Sequence, residues 1–141
     1  MPVYFHTEDT DFSLEEEDLY ERWIDTAIKN KGKESGQINV IFASNRYLLE
    51  KNKQYLNHNY FTDVITFEYN EEEFISGDVF ISVDQVRENS LYYSVSFTNE
   101  LERVIIHGVL HLLGLKDSNE EEKRIMRKKE DEGLEVLKSM R

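Results

Sequence analysis

Apolar and polar residues alternate in several short segments, as they do in β-strands that bury one face. In residues 37–43 every second position from 38 to 42 is apolar, which predicts a strand. Other short segments rich in β-branched and aromatic residues are 3–6, 62–69 and 78–83. The acidic segment 70–77 lies between two of these segments and predicts a hairpin loop. The chain therefore contains several short strands, separated by longer segments of a different period.

The longer segments carry apolar residues three or four positions apart, which predicts helices. Each segment follows a residue that can accept a hydrogen bond from the free N–H groups of a first helical turn. The predicted N-terminal caps are Ser13 with Glu16, Ser44, Asp84, Ser96 or Thr98, and Ser118 with Glu121. The first helix is expected to end at Gly32, and the second, third and fifth near Tyr55, Tyr92 and Lys138. Strands that alternate with helices in this way predict an α+β fold with one small mixed sheet.

Composition limits the class of protein. The chain has 141 residues, and no repeat or linker divides it, so we expect residues 1–141 to form a single domain. It has no cysteine, which excludes disulfide partners and cysteine-based zinc sites. No apolar run is long enough to cross a membrane, and the first residues do not resemble a signal peptide. We therefore expect a cytoplasmic protein of bacterial type.

The net charge is −12, which argues against nonspecific binding of nucleic acid through the overall field. Acidic residues are concentrated at 8–21, 68–73 and 120–135, and we interpret these runs as solvated faces. An RNA substrate would therefore require a local basic groove.

The most informative segment contains His107 and His111, which are two of only four histidines. On a helix, residues four apart lie on one face, so these two imidazoles can bind one ion. Gly114 can take the left-handed conformation that ends a helix, and Asp117 can then fold back toward the same ion. The surrounding residues are mostly apolar, which predicts a buried helix whose imidazoles need partners. The alternative is a pair of core histidines bonded to the backbone.

The spacing His-x-x-x-His-x-x-Gly-x-x-Asp has the geometry of the zinc-binding helix of metzincin proteases. Those enzymes carry a glutamate general base directly after the first histidine, where this chain has Gly108. Three ligands with one open coordination position are typical of a catalytic metal that activates water. We predict one zinc ion per chain, bound by His107, His111 and Asp117, with no catalytic residue identified beyond the metal-activated water.

The same segment resembles that of the YbeY family, the bacterial metal-dependent endoribonucleases of ribosomal RNA maturation. The family pattern is His-Gly-x-Leu-His-Leu-x-Gly-Tyr-Asp-His. The residues that match it are His107, Gly108, Leu110, His111, Leu112 and Gly114. Residues 62–67 and 77–81 also resemble the family's Thr-Asp-Val-Leu-Ser-Phe and Gly-Asp-Ile-x-Ile strands, in the same order. The resemblance covers residues 37–130.

The resemblance implies a four-stranded mixed sheet packed with about five helices, and a metal cleft at the end of the histidine helix. It implies single-strand-specific cleavage of RNA in late 16S rRNA 3′-end maturation, ribosome biogenesis and quality control. The implied partners are rRNA within the small ribosomal subunit or its precursor, together with ribosome-assembly proteins.

The chain departs from the family pattern at three places. The family's third histidine falls on Asp117, the Tyr-Asp before that histidine falls on Leu115 and Lys116, and the RNA-binding arginine falls on Leu56. The residues that could replace this arginine are His58, Lys53 and Arg46.

Three other functions remain open at this stage. They are a metal hydrolase of another substrate class, a non-catalytic assembly factor with a structural metal, and a non-haem iron protein. Asp63 and Asp78, at strand ends, are candidates for the cleft or for turns. Aromatic residues that could stack bases or pack in the core are Tyr47, Tyr55, Tyr60, Phe61, Tyr69, Tyr92 and Tyr93.

Overall fold

The computed structural model describes residues 3–55 and 62–141. The strands in these residues are β1 (Val3–Glu8), β2 (Glu34–Ala43), β3 (Val64–Glu68) and β4 (Phe74–Ser82). The helices are α1 (Glu17–Lys29), α2 (Asn45–Tyr55), α3 (Val83–Tyr93), α4 (Phe97–Leu112) and α5 (Glu120–Met140). One four-stranded sheet with five helices confirms the predicted α+β class. None of the described helices combines the length and apolar character that crossing a membrane requires.

The sheet is mixed, with strand order β1-β2-β4-β3. The β1–β2 and β2–β4 pairs are parallel, while β3 and β4 form an antiparallel hairpin. The hairpin loop is shorter than predicted, because residues 74–77 belong to β4. Glu34 and Phe74 are paired across β2 and β4, which extends both strands beyond their apolar stretches.

The two faces of the sheet carry different cores, as strand alternation requires. Ile38, Val40 and Phe42 of β2 pack in the main core, where residues of α1, α4 and α5 meet the sheet. The alternate positions Ile41 and Ala43 point the other way and pack in a smaller cluster with residues of α2, β3 and β4. The predicted alternation of residues 37–43 is therefore confirmed, and both faces are covered by helices.

The first helix begins later than predicted. Ser13 does not cap it; Glu16 is the N-cap residue, in the left-handed conformation and without a capping side-chain bond. The cause lies in the residues before it, because Phe12 and Leu14 are packed against the main core. The Phe12 ring lies 5.2 Å from that of Phe42, so contacts with the core hold this segment outside the helix. Helix α1 ends near Gly32 as predicted, and Gly32 has a φ of +74°.

Two other predicted caps are wrong by one or two residues. Ser82 caps α3, while the Asp84 carboxylate accepts a hydrogen bond from the Asn45 backbone N–H and so caps α2 from outside. Asn119 rather than Ser118 caps α5, since the Asn119 side chain accepts a hydrogen bond from the Glu122 backbone N–H. Serine and asparagine are about equally good N-caps, so their order in the sequence does not distinguish them. The caps predicted at Ser44 and Ser96 are confirmed by bonds from Tyr47 N–H and Asn99 N–H.

Candidate metal centre

Helix α4 carries both histidines and packs between the sheet and helices α3 and α5. Gly108 lies where α4 approaches the sheet most closely: a Cβ atom there would lie 2.5 Å from Val79 Cγ1 and 3.4 Å from Val64 Cγ2. A side chain at this position would push α4 away from β4, since contacts this short are not tolerated. Packing of α4 against β3 and β4 thus excludes the glutamate that metzincins carry here.

The chain reverses direction directly after α4. Leu115 N–H donates to the Leu110 carbonyl, and Gly114 N–H donates to the His111 carbonyl, both at 3.0 Å. This pair of bonds is a Schellman motif, in which the residue after the C-cap takes the left-handed conformation. Gly114 fills that place with a φ of +98°, as predicted. The turn brings Asp117 back to the two histidines.

The three predicted ligand residues come together at one point. His107 Nε2 and His111 Nε2 are 3.0 Å apart, and Asp117 Oδ2 lies 3.3 Å from the first and 3.4 Å from the second. Bonds of about 2.0–2.1 Å from a tetrahedral zinc ion place neighbouring ligand atoms about 3.4 Å apart. The observed triangle therefore has the dimensions that a zinc-sized ion requires.

The other ring nitrogens determine which atoms face the centre of this triangle. His111 Nδ1 lies 2.9 Å from the Leu115 carbonyl oxygen, which can only accept, so Nδ1 carries the proton. His107 Nδ1 lies 2.6 Å from Glu130 Oε2, which as a carboxylate also accepts. In neutral rings, two Nε2 lone pairs and a carboxylate oxygen then face one another with no proton between them. A cation at the centre would remove this repulsion. Histidines that bind metals typically donate their other ring N–H to a carboxylate or a backbone carbonyl, as both Nδ1 atoms do here.

Glu130 is a residue of the candidate site that the sequence interpretation missed. It falls in the acidic run 120–135, interpreted as a solvated face, but it is only 5% exposed. Besides His107, it binds Arg103 Nη1 at 2.9 Å. The available signal was its spacing, because Glu130 lies on the buried face of α5 between Met126 and Leu137.

The His107–Glu130 bond shifts the titration of both groups in the metal-free protein. Burial lowers the pKa of His107, but the bond to Glu130 and the charge of that carboxylate outweigh it, so the pKa is raised above its usual value. For Glu130, burial raises the pKa, but the bonds to His107 and Arg103 lower it by more, so the net effect is a lowered pKa. Each charge thus stabilises the other.

An open cleft with a volume of about 400 Å³ adjoins the triangle. Asp63 lines it and accepts a hydrogen bond of 3.1 Å from Asn89, while buried Glu100 of α4 lies nearby. Burial raises the pKa of both carboxyl groups, and for Glu100 the charge of Asp63 adds to this effect. Asp78, the other candidate, accepts from Asn39 on the opposite face of the sheet and is absent from the cleft.

The described candidates for the RNA-binding cation lie elsewhere. Arg46 is exposed and binds Asp9 at 3.0 Å, and Lys53 lies 3.9 Å from Glu50; neither lines the cleft. Leu56 and His58 lie outside the described residues, as do Tyr60 and Phe61. The cationic side chains that do line the cleft are Arg103, Lys123 and Arg127.

Comparison with known proteins identifies relatives along nearly the whole chain. The family described as Endoribonuclease YbeY matches residues 3–138. A protein named Endoribonuclease YbeY from Flavobacterium psychrophilum is 47% identical over 127 residues, covering 90% of this chain and 91% of its own. One of the same name from Karelsulcia muelleri is 46% identical over 130 residues, covering 92% of each. The solution structure of TM1509 from Thermotoga maritima is similar with a TM-score of 0.64 and 28% identity, over 97% of this chain and 92% of that one.

Proposed function

Because the chain belongs to the Endoribonuclease YbeY family, we propose that it is a metal-dependent endoribonuclease that cleaves single-stranded RNA. The proposal treats residues 1–141 as one catalytic domain. It assigns His107, His111 and Asp117 as the ligands of one divalent ion per chain, with zinc as the expected metal.

The observation that carries this proposal is the arrangement of three acceptor atoms 3.0–3.4 Å apart. Structural zinc usually has four protein ligands, whereas catalytic zinc has three and keeps one position open. His107, His111 and Asp117, a group that could hold a metal ion, lie beside an open cleft and offer three ligand atoms. This ligand set favours a catalytic ion over a structural one, and hence an enzyme over a purely structural assembly factor.

When bound, the ion supplies Lewis-acid charge at the scissile phosphate and promotes deprotonation of the attacking water. The protein's own groups orient the site. Glu130 and the Leu115 carbonyl hold the two imidazole rings by their Nδ1 atoms, so that in the neutral rings both Nε2 atoms are unprotonated and point to the same place. Arg103 in turn binds Glu130 and fixes its carboxylate.

We also propose a cellular role in late 16S rRNA 3′-end maturation, ribosome biogenesis and quality control, in the cytoplasm. The substrate would be rRNA in the small ribosomal subunit or its precursor. With a net charge of −12, the protein is expected to bind bare RNA weakly, and less as salt increases. Ribosome-assembly proteins would then contribute to recognition.

The test combines two measurements. Purified protein, with and without a chelator, is incubated with single-stranded and double-stranded RNA, and rRNA ends are mapped in cells depleted of the protein. We expect cleavage of the single strand only, loss of cleavage with the chelator, recovery on addition of zinc, and immature 16S 3′ ends. Chelator-resistant cleavage would contradict the metal assignment, and normal rRNA ends would contradict the cellular role.

The ligand set also suits non-haem iron, which two histidines and a carboxylate bind in oxygenases. Elemental analysis of protein purified without added metal distinguishes the two ions. Iron at one equivalent with no RNA cleavage would replace the proposed function with an iron-dependent one.

A further inference from the structure

The three cationic side chains of the cleft differ in their partners. Arg103 is largely buried and is held by Glu130 at 2.9 Å and by Asp131 at 2.8 Å. Lys123 and Arg127 are exposed, and neither forms an ion pair with any residue that the structure describes. Arg103 therefore serves the metal site, whereas Lys123 and Arg127 remain available to an anion from solution.

The position of these two cations on α5 is fixed by contacts of the same helix. Lys123, Arg127 and Glu130 follow one another at intervals of four and three residues, so they lie on one face. Glu130 contacts His107, which orients this face toward the metal site. Arg124 and Lys128, each one residue further along, are exposed and do not line the cleft.

The charge balance of the cleft makes these cations important. Its lining includes four carboxylates, which belong to Asp63, Glu100, Asp117 and Glu130. Arg103, Lys123 and Arg127 offset three of them, and a divalent ion would make the local charge about +1. Without Lys123 and Arg127 the cleft would stay negative even with the ion bound, and it would repel a phosphate chain.

Aromatic surface lines the cleft on the side of α3. Tyr93 lines the cleft from the last turn of α3 and is 58% exposed. Its ring contacts that of Tyr92 edge-on, with centroids 5.0 Å apart. Helix α4 packs against both α3 and α5 and forms the floor between them. An exposed ring beside cations is the arrangement with which proteins bind single-stranded nucleic acid, because bases stack on rings and cations bind phosphates.

We infer that single-stranded RNA enters this cleft between α3 and α5, with its phosphates bound by Lys123 and Arg127 and one base stacked on Tyr93. The inference rests on the proposed function and adds the residues that hold the substrate. It also gives an acidic protein the local basic surface that RNA binding requires.

The first test neutralises the two cations and compares them with neighbours on the same helix. The variant Lys123→Gln/Arg127→Gln is compared with Arg124→Gln/Lys128→Gln, which has the same net charge on another face of α5. The probe is a fluorescent, cleavage-resistant phosphorothioate RNA of about ten nucleotides, bound to zinc-loaded protein over a series of salt concentrations.

The logarithm of the RNA-binding constant falls linearly with the logarithm of the salt concentration, and the loss of two phosphate contacts should make this slope shallower by about 1.4. Near physiological salt, that change corresponds to about tenfold weaker binding. With a cleavable RNA, KM should rise by a similar factor while kcat stays close to wild type, since this binding acts before the chemical step. Zinc content should not change. The control pair should stay within about twofold of wild type.

The second test concerns Tyr93. Tyr93→Leu keeps an apolar side chain but removes the ring, and it should weaken single-stranded RNA at least about fivefold, with no comparable effect on duplex RNA. Equal RNA affinity for wild type and the Lys123/Arg127 variant, in protein that binds zinc and cleaves RNA, would overturn this inference alone. Absence of cleavage and RNA binding in the zinc-loaded wild type would instead overturn the proposed function.

Discussion

The bond between Glu130 and His107 offers a sensitive test of the metal centre, because Glu130 is not itself a ligand. Its Oε2 lies 2.6 Å from His107 Nδ1, and the carboxylate is nearly buried. Partners of this kind orient the ligand ring and raise its basicity, and their loss typically reduces metal affinity about 10- to 100-fold. That range corresponds to about 1.4–2.8 kcal/mol of binding free energy.

Two substitutions separate charge from orientation. Glu130→Gln keeps an oxygen that can accept from Nδ1–H but removes the charge, so we expect about tenfold weaker zinc binding. Glu130→Ala removes both and should approach the hundredfold limit. Arg103 keeps Asp131 as a partner in both variants. The matched control is Glu132→Gln, since Glu132 lies on the same helix, is half exposed and pairs with Lys129 away from the two histidines.

The assay is a competition titration of zinc against a chromophoric chelator at fixed pH. Urea unfolding of each metal-free variant checks that the fold persists. The reasoning would be refuted if folded Glu130→Gln and Glu130→Ala both bound zinc as tightly as the Glu132→Gln control.

Three further predictions concern packing, the third ligand and pH. Gly108→Ala should destabilise the protein by about 1–3 kcal/mol in urea unfolding, because its Cβ would overlap Val79 Cγ1; an added Val79→Ala that restored none of this loss would contradict the clash. Asp117→Ala should lose zinc in elemental analysis while Asp117→His keeps it, and full zinc in the alanine variant would remove Asp117 from the ligand set. In metal-free protein, the raised pKa of His107 stabilises the fold below about pH 6.5 and this contribution is lost as pH rises through the folded pKa. The lowered pKa of Glu130 stabilises the fold above about pH 4.5, and this contribution is lost as pH falls through the folded pKa. Both contributions are present near pH 5.5, so the free energy of unfolding of the metal-free protein in urea should be greater there than near pH 8. Equal or greater stability near pH 8 would contradict this assignment.

The elements and the clustering of the three candidate ligand residues were predictable because they depend on short spacings. Two histidines on one helical face and a glycine that ends the helix determine where Asp117 returns, whatever the rest of the fold does. Glu130 was not predictable in the same way, because its contact depends on how α5 packs against α4. Most of its sequence neighbours are charged and exposed, so the sequence alone does not distinguish Glu130 as the buried acidic residue of α5.

The wrong caps have a similar origin. Ser13 and Glu16 have the spacing of a capping box, but Phe12 packs against Phe42 and α1 begins only after Glu16. Asp84 has the composition of a cap and acts as one, but for α2 rather than for its own helix. In both cases a tertiary contact outweighed a local preference. Each contact joins residues at least 30 positions apart, so it cannot be read from a short stretch of sequence.

The central claim is that RNA cleavage depends on an ion held by the histidine pair. The most direct measurement is zinc content and single-stranded RNA cleavage on the same preparations of wild type, His111→Ala and the exposed control His6→Ala. We expect one equivalent of zinc and full cleavage in wild type and in His6→Ala, and loss of both in His111→Ala. Folded, zinc-free His111→Ala that still cleaved RNA at the wild-type rate would contradict the account.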